Sequence, residues 1–301
     1  MAESFQIGGQ EALCHDPGFW SGFFHSYRHL KIEGTISAPR TVHVFLPREY
    51  DISQVRYPVV YFNDGNTLFF PGGAYHKTWN LGSVLNRLYL AQQIRKLIIV
   101  AVVPINRDYE YTHAPVWDSE WGGLEVYSTY LAKDLKGFID HQYRTLPEPE
   151  NTLIVGASHG GLAAFYTAAC HPDAFGNVAA LSPSFWVGMD SAIEWAFADP
   201  KGRFFGDLSD SALLSVADPT LRSHLLKIYL DWGLVREGGS HNEWIEERAT
   251  VRGREMRDLL TNTYGYREGE NLFVVEDPIG DHTEESWSRR IEDVFKLFFR
   301  A

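Results

Sequence analysis

The sequence predicts a mostly parallel, doubly wound α/β sheet with an antiparallel hairpin on its N-terminal side. Three observations lead there. Short apolar runs alternate with stretches of helical periodicity along most of the 301 residues. Those runs are apolar on both faces, as strands are when helices cover both sides of a sheet. Residues 151–166, NTLIVGASHGGLAAFY, pass from such a run through a glycine-flanked serine straight into a helical pattern.

Residues 28–47 alternate apolar and polar side chains around Ala38-Pro39-Arg40 and read as the edge hairpin. They leave residues 1–27 as an N-terminal extension of a single domain over 1–301. Further strands are expected at 58–63, 97–103, 152–155, 178–181, 227–231 and 271–275. Helices are expected near 78–94, 126–142, 160–171, 189–198, 247–264 and 284–300. No repeat or low-complexity stretch interrupts the series. In a sheet wound this way, reactive residues gather in loops at the carboxyl ends of the strands.

Composition narrows the partners. A hydrophobic content of 45% supports a sizeable core. The formal net charge is −12 with no Lys/Arg run, which argues against nucleic acid or an anionic membrane. The longest clean apolar run, 97–103, is too short to span a bilayer. The opening MAESFQIGGQ lacks the charged and apolar regions of a secretory signal. Two cysteines, Cys14 and Cys170, make no disulfide framework, and a cytoplasmic location is expected. His25 and His29 are four apart without an H-E-x-x-H pattern. Gly8-Gly9 and Gly72-Gly73 lack the Lys-Ser/Thr of a phosphate loop. Neither a metal nor a cofactor is expected, and oligomeric state is not readable.

The chemistry concentrates at Gly156-Ala157-Ser158-His159-Gly160. A serine on a tight strand-to-helix turn needs glycines two residues to either side, because side chains there would clash. The turn lifts the hydroxyl above the sheet and aims a helix N-terminus at charge developing on a bound carbonyl. Such a serine needs a base, an orienting acid and two amide donors. His282 stands after the last strand and before the last helix, as the base should. The acid is sought after strand 227–231, where Glu237 is favoured and Asp231 is the alternative. The amides are those of His159 and Asn66, the latter in the turn Asn63-Asp64-Gly65-Asn66.

The long connection 104–124 should roof the pocket. Its Arg107 has two readings: pairing with a loop acid to stiffen the roof, or holding an anionic or phenolic substrate group. Trp117, Trp121 and Trp186 fall in loops or after strand ends, as does Trp79, where their rings could line a pocket.

With these residues in view the chain resembles the putative-esterase family of α/β hydrolases from about residue 40 onward. The carriers are YPVVYFNDG over 57–65, Asn106-Arg107 with Glu110-Tyr111-Thr112, YRTLP over 143–147, the elbow 156–161, LSPSFW over 181–186 and HTEESW over 282–287. The family holds feruloyl and acetyl-xylan esterases, S-formylglutathione hydrolases, mycolyltransferases and siderophore trilactone esterases. The resemblance implies the α/β-hydrolase fold and a triad of Ser158, His282 and an acid at or near Glu237. Two departures stand out: a loop after Gly233 that is one residue longer, and His159 where Met or Leu is usual.

The expected function is a metal-free serine carboxylic ester hydrolase acting on a small or aromatic ester through an acyl-enzyme. Acyl transfer to an alcohol uses the same residues, and a non-catalytic binding module on this fold is the third option. Acyl and alcohol groups are not readable from the sequence.

Overall fold

The structure, a computed structural model, describes residues 3–72, 76–116, 119–190 and 206–301. Its framework is one ten-stranded sheet. Strands β1 (Glu3–Ile7), β2 (Gln10–His15), β3 (Gly22–Leu30) and β4 (Arg40–Pro47) pair antiparallel in sequence order. β4 then pairs antiparallel with β6 (Ile98–Val102). From there every neighbour is parallel, in the order β6, β5 (Val59–Phe62), β7 (Thr152–Ala157), β8 (Asn177–Leu181), β9 (Lys227–Gly233) and β10 (Leu272–Asp277). After β5 the chain winds to one side through β6, then returns to continue on the other side from β7. The switch point therefore lies between β5 and β7, and the crevice above their carboxyl ends is where this topology places ligands.

Helices cover both faces. α1 (Leu81–Leu90) and α8 (Glu284–Phe298) bury Val84, Leu85, Leu88, Ile291, Val294 and Phe295 on one side. α3 (Leu124–Thr129), α4 (Lys136–Gln142), α5 (His159–Cys170), α6 (Ala212–Ser223) and α7 (Glu247–Asn262) bury Tyr127, Ile139, Leu162, Leu213 and Met256 on the other. α2 (Arg107–Tyr111) sits in the long connection after β6. Strands β5 to β8 are buried at every position, which explains their unbroken apolar runs.

The differences from expectation have local causes. The N-terminal extension adds β1 and β2, joined at Gly8 and Gly9 with φ of 57° and 74°. Two glycines at positive φ make the tight hairpin turn whose twist suits flanking strands. The edge hairpin opens earlier, at Gly22, and its register shifts between Tyr27 and Leu30, which breaks the alternation there. α1 begins at Leu81 because Asn80 is left-handed, at φ 47°. Helix α6 was hidden by Pro219, which sits inside it. The expected helix 189–198 falls mostly outside the described residues.

Burial leaves several imidazoles neutral. His25, His43 and His113 are pushed down to about 4, and His159 to about 3, chiefly by desolvation. The unfolded chain takes up these protons near 6.5, whereas the fold resists them until pH 3–4. Stability is thus retained above pH 6.5 and is lost as pH falls toward 4, by up to roughly 1.4 kcal/mol per pH unit for each such group. Thermal melts at pH 7, 6, 5 and 4.5 should show a progressively falling Tm. A flat profile over this range would mean these imidazoles protonate freely in the fold.

Candidate active site

Ser158 stands between β7 and α5 at φ 57° and ψ −126°. Such a backbone costs about 1–3 kcal/mol and persists only where its surroundings hold it. Here the Ser158 N–H donates to Leu181 O at 3.0 Å, and the Ser184 N–H donates to Ser158 O at 3.1 Å. The flanking glycines are required sterically. A Cβ on Gly156 would lie 2.0 Å from the Gly160 carbonyl oxygen, and one on Gly160 would lie 2.9 Å from the Asp64 carboxylate. The Ser158 hydroxyl is 3.5 Å from Ser184 Oγ and makes no hydrogen bond to His282 among the described residues.

His282 follows β10 and precedes α8, whose first turn is capped by Thr283 accepting from the Ser286 N–H at 3.3 Å. The His282 N–H donates to Asn242 Oδ1 at 2.9 Å, and its ring meets Trp287 edge-on at 5.1 Å. Its Nδ1 lies 2.5 Å from Glu246 Oε2. Neither Glu237 nor Asp231, the two acids considered from the sequence, touches the imidazole. After Gly233 the chain runs along the 277–280 segment, with Leu234 N–H on Asp277 O and Val235 N–H on Gly280 O, and carries Glu237 past the histidine into solvent. Glu246 ends a π-helical turn, His241–Glu246, that leads into α7. The wide turn brings this carboxylate inward. In the sequence it is one acid of a Glu246-Glu247 pair at a helix start and is indistinguishable from a solvated position.

Glu246 is fully buried. Its Oε1 accepts the Ser182 hydroxyl at 2.8 Å and the Gly233 N–H. Ser182 Oγ in turn accepts from Arg290 Nη2 at 3.0 Å and Trp287 Nε1 at 3.3 Å. Burial alone would raise the Glu246 carboxyl. The His282 bond, the charges of His282 and Arg290 and the Gly233 N–H outweigh it and hold the group below its ordinary 4.5. Asp231 lies behind, also fully buried, receiving the Tyr229 hydroxyl at 3.0 Å and standing 3.4 Å from Arg290 Nε. Burial pushes it up to about 6. It pins the end of β9 and the Ser182 N–H, 3.3 Å away.

The amides of His159 and Asn66 have no acceptor among the described residues. The turn that carries Asn66 is fixed from several sides. Asp64 is left-handed at φ 55° and donates its N–H to Tyr111 Oη at 2.9 Å. The Gly65 N–H donates to Val102 O at 2.8 Å. Asn63 bridges the Gly160 carbonyl and the Tyr127 hydroxyl, each at 2.8 Å.

Arg107 gives Nε and Nη2 to Asp64 at 2.8 and 2.9 Å, and its Nη1 is 3.4 Å from His159 Nδ1. The guanidinium thus pairs with Asp64 across two loops and also borders the hollow. That hollow, of about 390 Å³, is lined by Ser158, His282, Asn66, Arg107, Trp79 and Trp287 among others. Trp186 is not among them. It is fully buried beneath His159, edge-on at 5.4 Å. Trp121 is 45% exposed and also lies outside the lining, and Trp117 falls outside the described residues. A slightly larger hollow of about 430 Å³ beside His113 and Met189 does not border Ser158.

A parallel sheet wound on both sides of a switch point, with a serine elbow above it, defines an α/β hydrolase fold. Residues 34–297 match the family described as "Putative esterase", and the chain belongs to that family. Among curated proteins it is similar to the Bacillus subtilis (strain 168) protein YbbA, 26% identical over 149 residues that make up 48% of this chain and 56% of that one. The match thus spans about half of that relative's length. Among solved structures it is similar to an IroE-like serine hydrolase from Shewanella oneidensis, with a TM-score of 0.62 at 19% identity, covering 91% of this chain and 78% of that one. It is likewise similar to a ferulic acid esterase, with a TM-score of 0.63 at 17% identity over 94% and 99% of the two chains. No helix among the described residues is long and apolar enough to cross a membrane.

Proposed function

We propose that the protein hydrolyses a carboxylic ester through an acyl-enzyme on Ser158. The observation that carries this reading is the His282–Glu246 pair, closed at 2.5 Å behind a hollow that Ser158 shares. His282 Nε2 takes the Ser158 proton as Oγ bonds to the carbonyl carbon. The amides of His159 and Asn66 receive the oxyanion. The proton then passes to the departing alkoxide, releasing the alcohol, and water repeats the sequence to release the acid. Glu246 holds the proton on Nδ1, so that Nε2 is free to accept at the start of each half-reaction, and it stabilises the imidazolium that forms in between. The Ser158–His282 hydrogen bond closes in the substrate complex, as catalytic bonds commonly do.

The hollow suits compact or aromatic groups, because Trp79 and Trp287 wall a space of about 390 Å³. Cys14 and Cys170, both free thiols, suit a reducing cytoplasmic compartment. The test is a fluorophosphonate probe followed by peptide mass analysis, together with hydrolysis of p-nitrophenyl butyrate and palmitate. We expect one adduct, on Ser158, and faster turnover of the butyrate. An adduct elsewhere, or none, would overturn the assignment.

A further inference from the structure

The charges bordering the hollow do not balance. Besides the histidines, its ionisable lining is Asp64, Asp108, Glu284 and Arg107. Arg107 commits two nitrogens to Asp64 and turns the third to His159, so that pair is neutral as a unit. Asp108 Oδ2 accepts a hydrogen bond at 3.0 Å from the Ser119 hydroxyl, which brings no charge. Glu284, in the first turn of α8, meets no cation among the described residues, since the nearby Lys77 is taken by Glu285 at 3.0 Å. The histidines do not offset the excess. His159 is pushed down to about 3, and burial with the neighbouring His282 lowers His241, while His282 faces Glu246. Asp64, Asp108 and Glu284 thus face a single guanidinium, whose charge Asp64 and Asp108 share, which leaves an excess of two negative charges in a hollow that Trp79 and Trp287 also line.

We infer that this hollow selects esters whose alcohol half carries a positive charge, of the alkylammonium class, and discriminates against esters that carry a carboxylate. Asp108 and Glu284 set that preference. Field lines from uncompensated charge in a low-dielectric cleft concentrate ligands of opposite sign. Trp79 and Trp287, which line the same hollow, add π surface that attracts a desolvated ammonium. The inference rests on the ester-hydrolase reading of Ser158. The first of the two acids is carried by α2 in the connection after β6, the second by the last helix.

The experiment compares three butyrate esters of similar size: butyrylcholine, its uncharged carbon isostere 3,3-dimethylbutyl butyrate, and the butyrate ester of 4-hydroxybutanoate. At low ionic strength kcat/KM should fall in that order, by about tenfold from the first to the second. Adding about 0.5 M NaCl should compress the ratio, since screening shortens the reach of the field. The double variant Asp108→Asn, Glu284→Gln should bring the ratio close to one, by lowering kcat/KM for butyrylcholine about tenfold more than for the neutral ester. Equal rates for the charged and uncharged esters, or a preference that survives the double variant, would overturn the inference while fluorophosphonate labelling of Ser158 left the hydrolase reading standing. Loss of labelling in the parent protein would remove both.

Discussion

Replacing Ser158 with alanine should lower kcat for ester turnover by roughly 10³-fold or more and leave Tm within a few degrees of the parent. The two halves of this expectation have separate causes. The rate falls because no other hydroxyl takes the same place above β7. Ser184 Oγ is 3.5 Å from Ser158 Oγ, yet its backbone lies beyond β8 rather than at the elbow. The fold survives because alanine keeps the same Cβ at φ 57°, so the backbone strain is unchanged. The Leu181 and Ser184 bonds that hold the turn run through the main chain. A variant that kept a tenth of the parent rate would exclude Ser158 as nucleophile.

Glu246→Gln should cost roughly 10³–10⁴ in kcat, with KM little changed. Every group around this carboxylate is a donor: the Gly233 N–H and Ser182 hydroxyl on Oε1, and His282 Nδ1–H on Oε2. Glutamine has one acceptor oxygen. Facing it to Gly233 and Ser182 keeps two bonds and turns the NH₂ toward His282. The imidazole then relieves the donor clash by moving its proton to Nε2, where it can no longer accept from serine. Glu237→Gln should be near the parent rate, because that side chain is exposed, and Asp231→Asn should lose less than tenfold. Were Asp231→Asn the most damaging of the three, the orienting acid would be Asp231 and the Glu246 contact structural.

What was legible in the sequence followed from constraints that chemistry imposes locally. The parallel strands could be read because burial on both faces leaves no polar position in them. The elbow could be read because Gly156 has no room for a side chain and Gly160 is crowded by the Asp64 carboxylate. The position of His282 between the last strand and the last helix could also be read. The contact of Glu246 with His282 could not be read, because nothing in His241–Glu246 announces a π turn rather than an α turn. That one difference in winding decides whether Glu246 faces solvent or core. Trp186 was misread for a related reason: spacing shows that a ring follows a strand, not which way it points. Arg107 was left with two readings, and its partner Asp64, 43 residues away, lay in a different loop.

Helix α8 deserves a mechanical view. Within its first two turns Glu284 borders the hollow, Trp287 braces the His282 ring and Arg290 reaches Ser182, and thereafter Ile291, Val294 and Phe295 key the rod into the sheet. Reaction geometry and structural anchorage are thus machined onto one shaft. An outward position such as Asp293 can change freely, but the length of the helix cannot. One residue inserted after Glu284 would rotate everything before it by about 100° relative to the anchors. The Thr283 cap, Glu284 and the His282 loop would be out of phase with the keyed end. Lineages descended from such a chain should therefore vary in length at their loops and conserve the count from His282 to Phe295, even where few of the intervening letters survive.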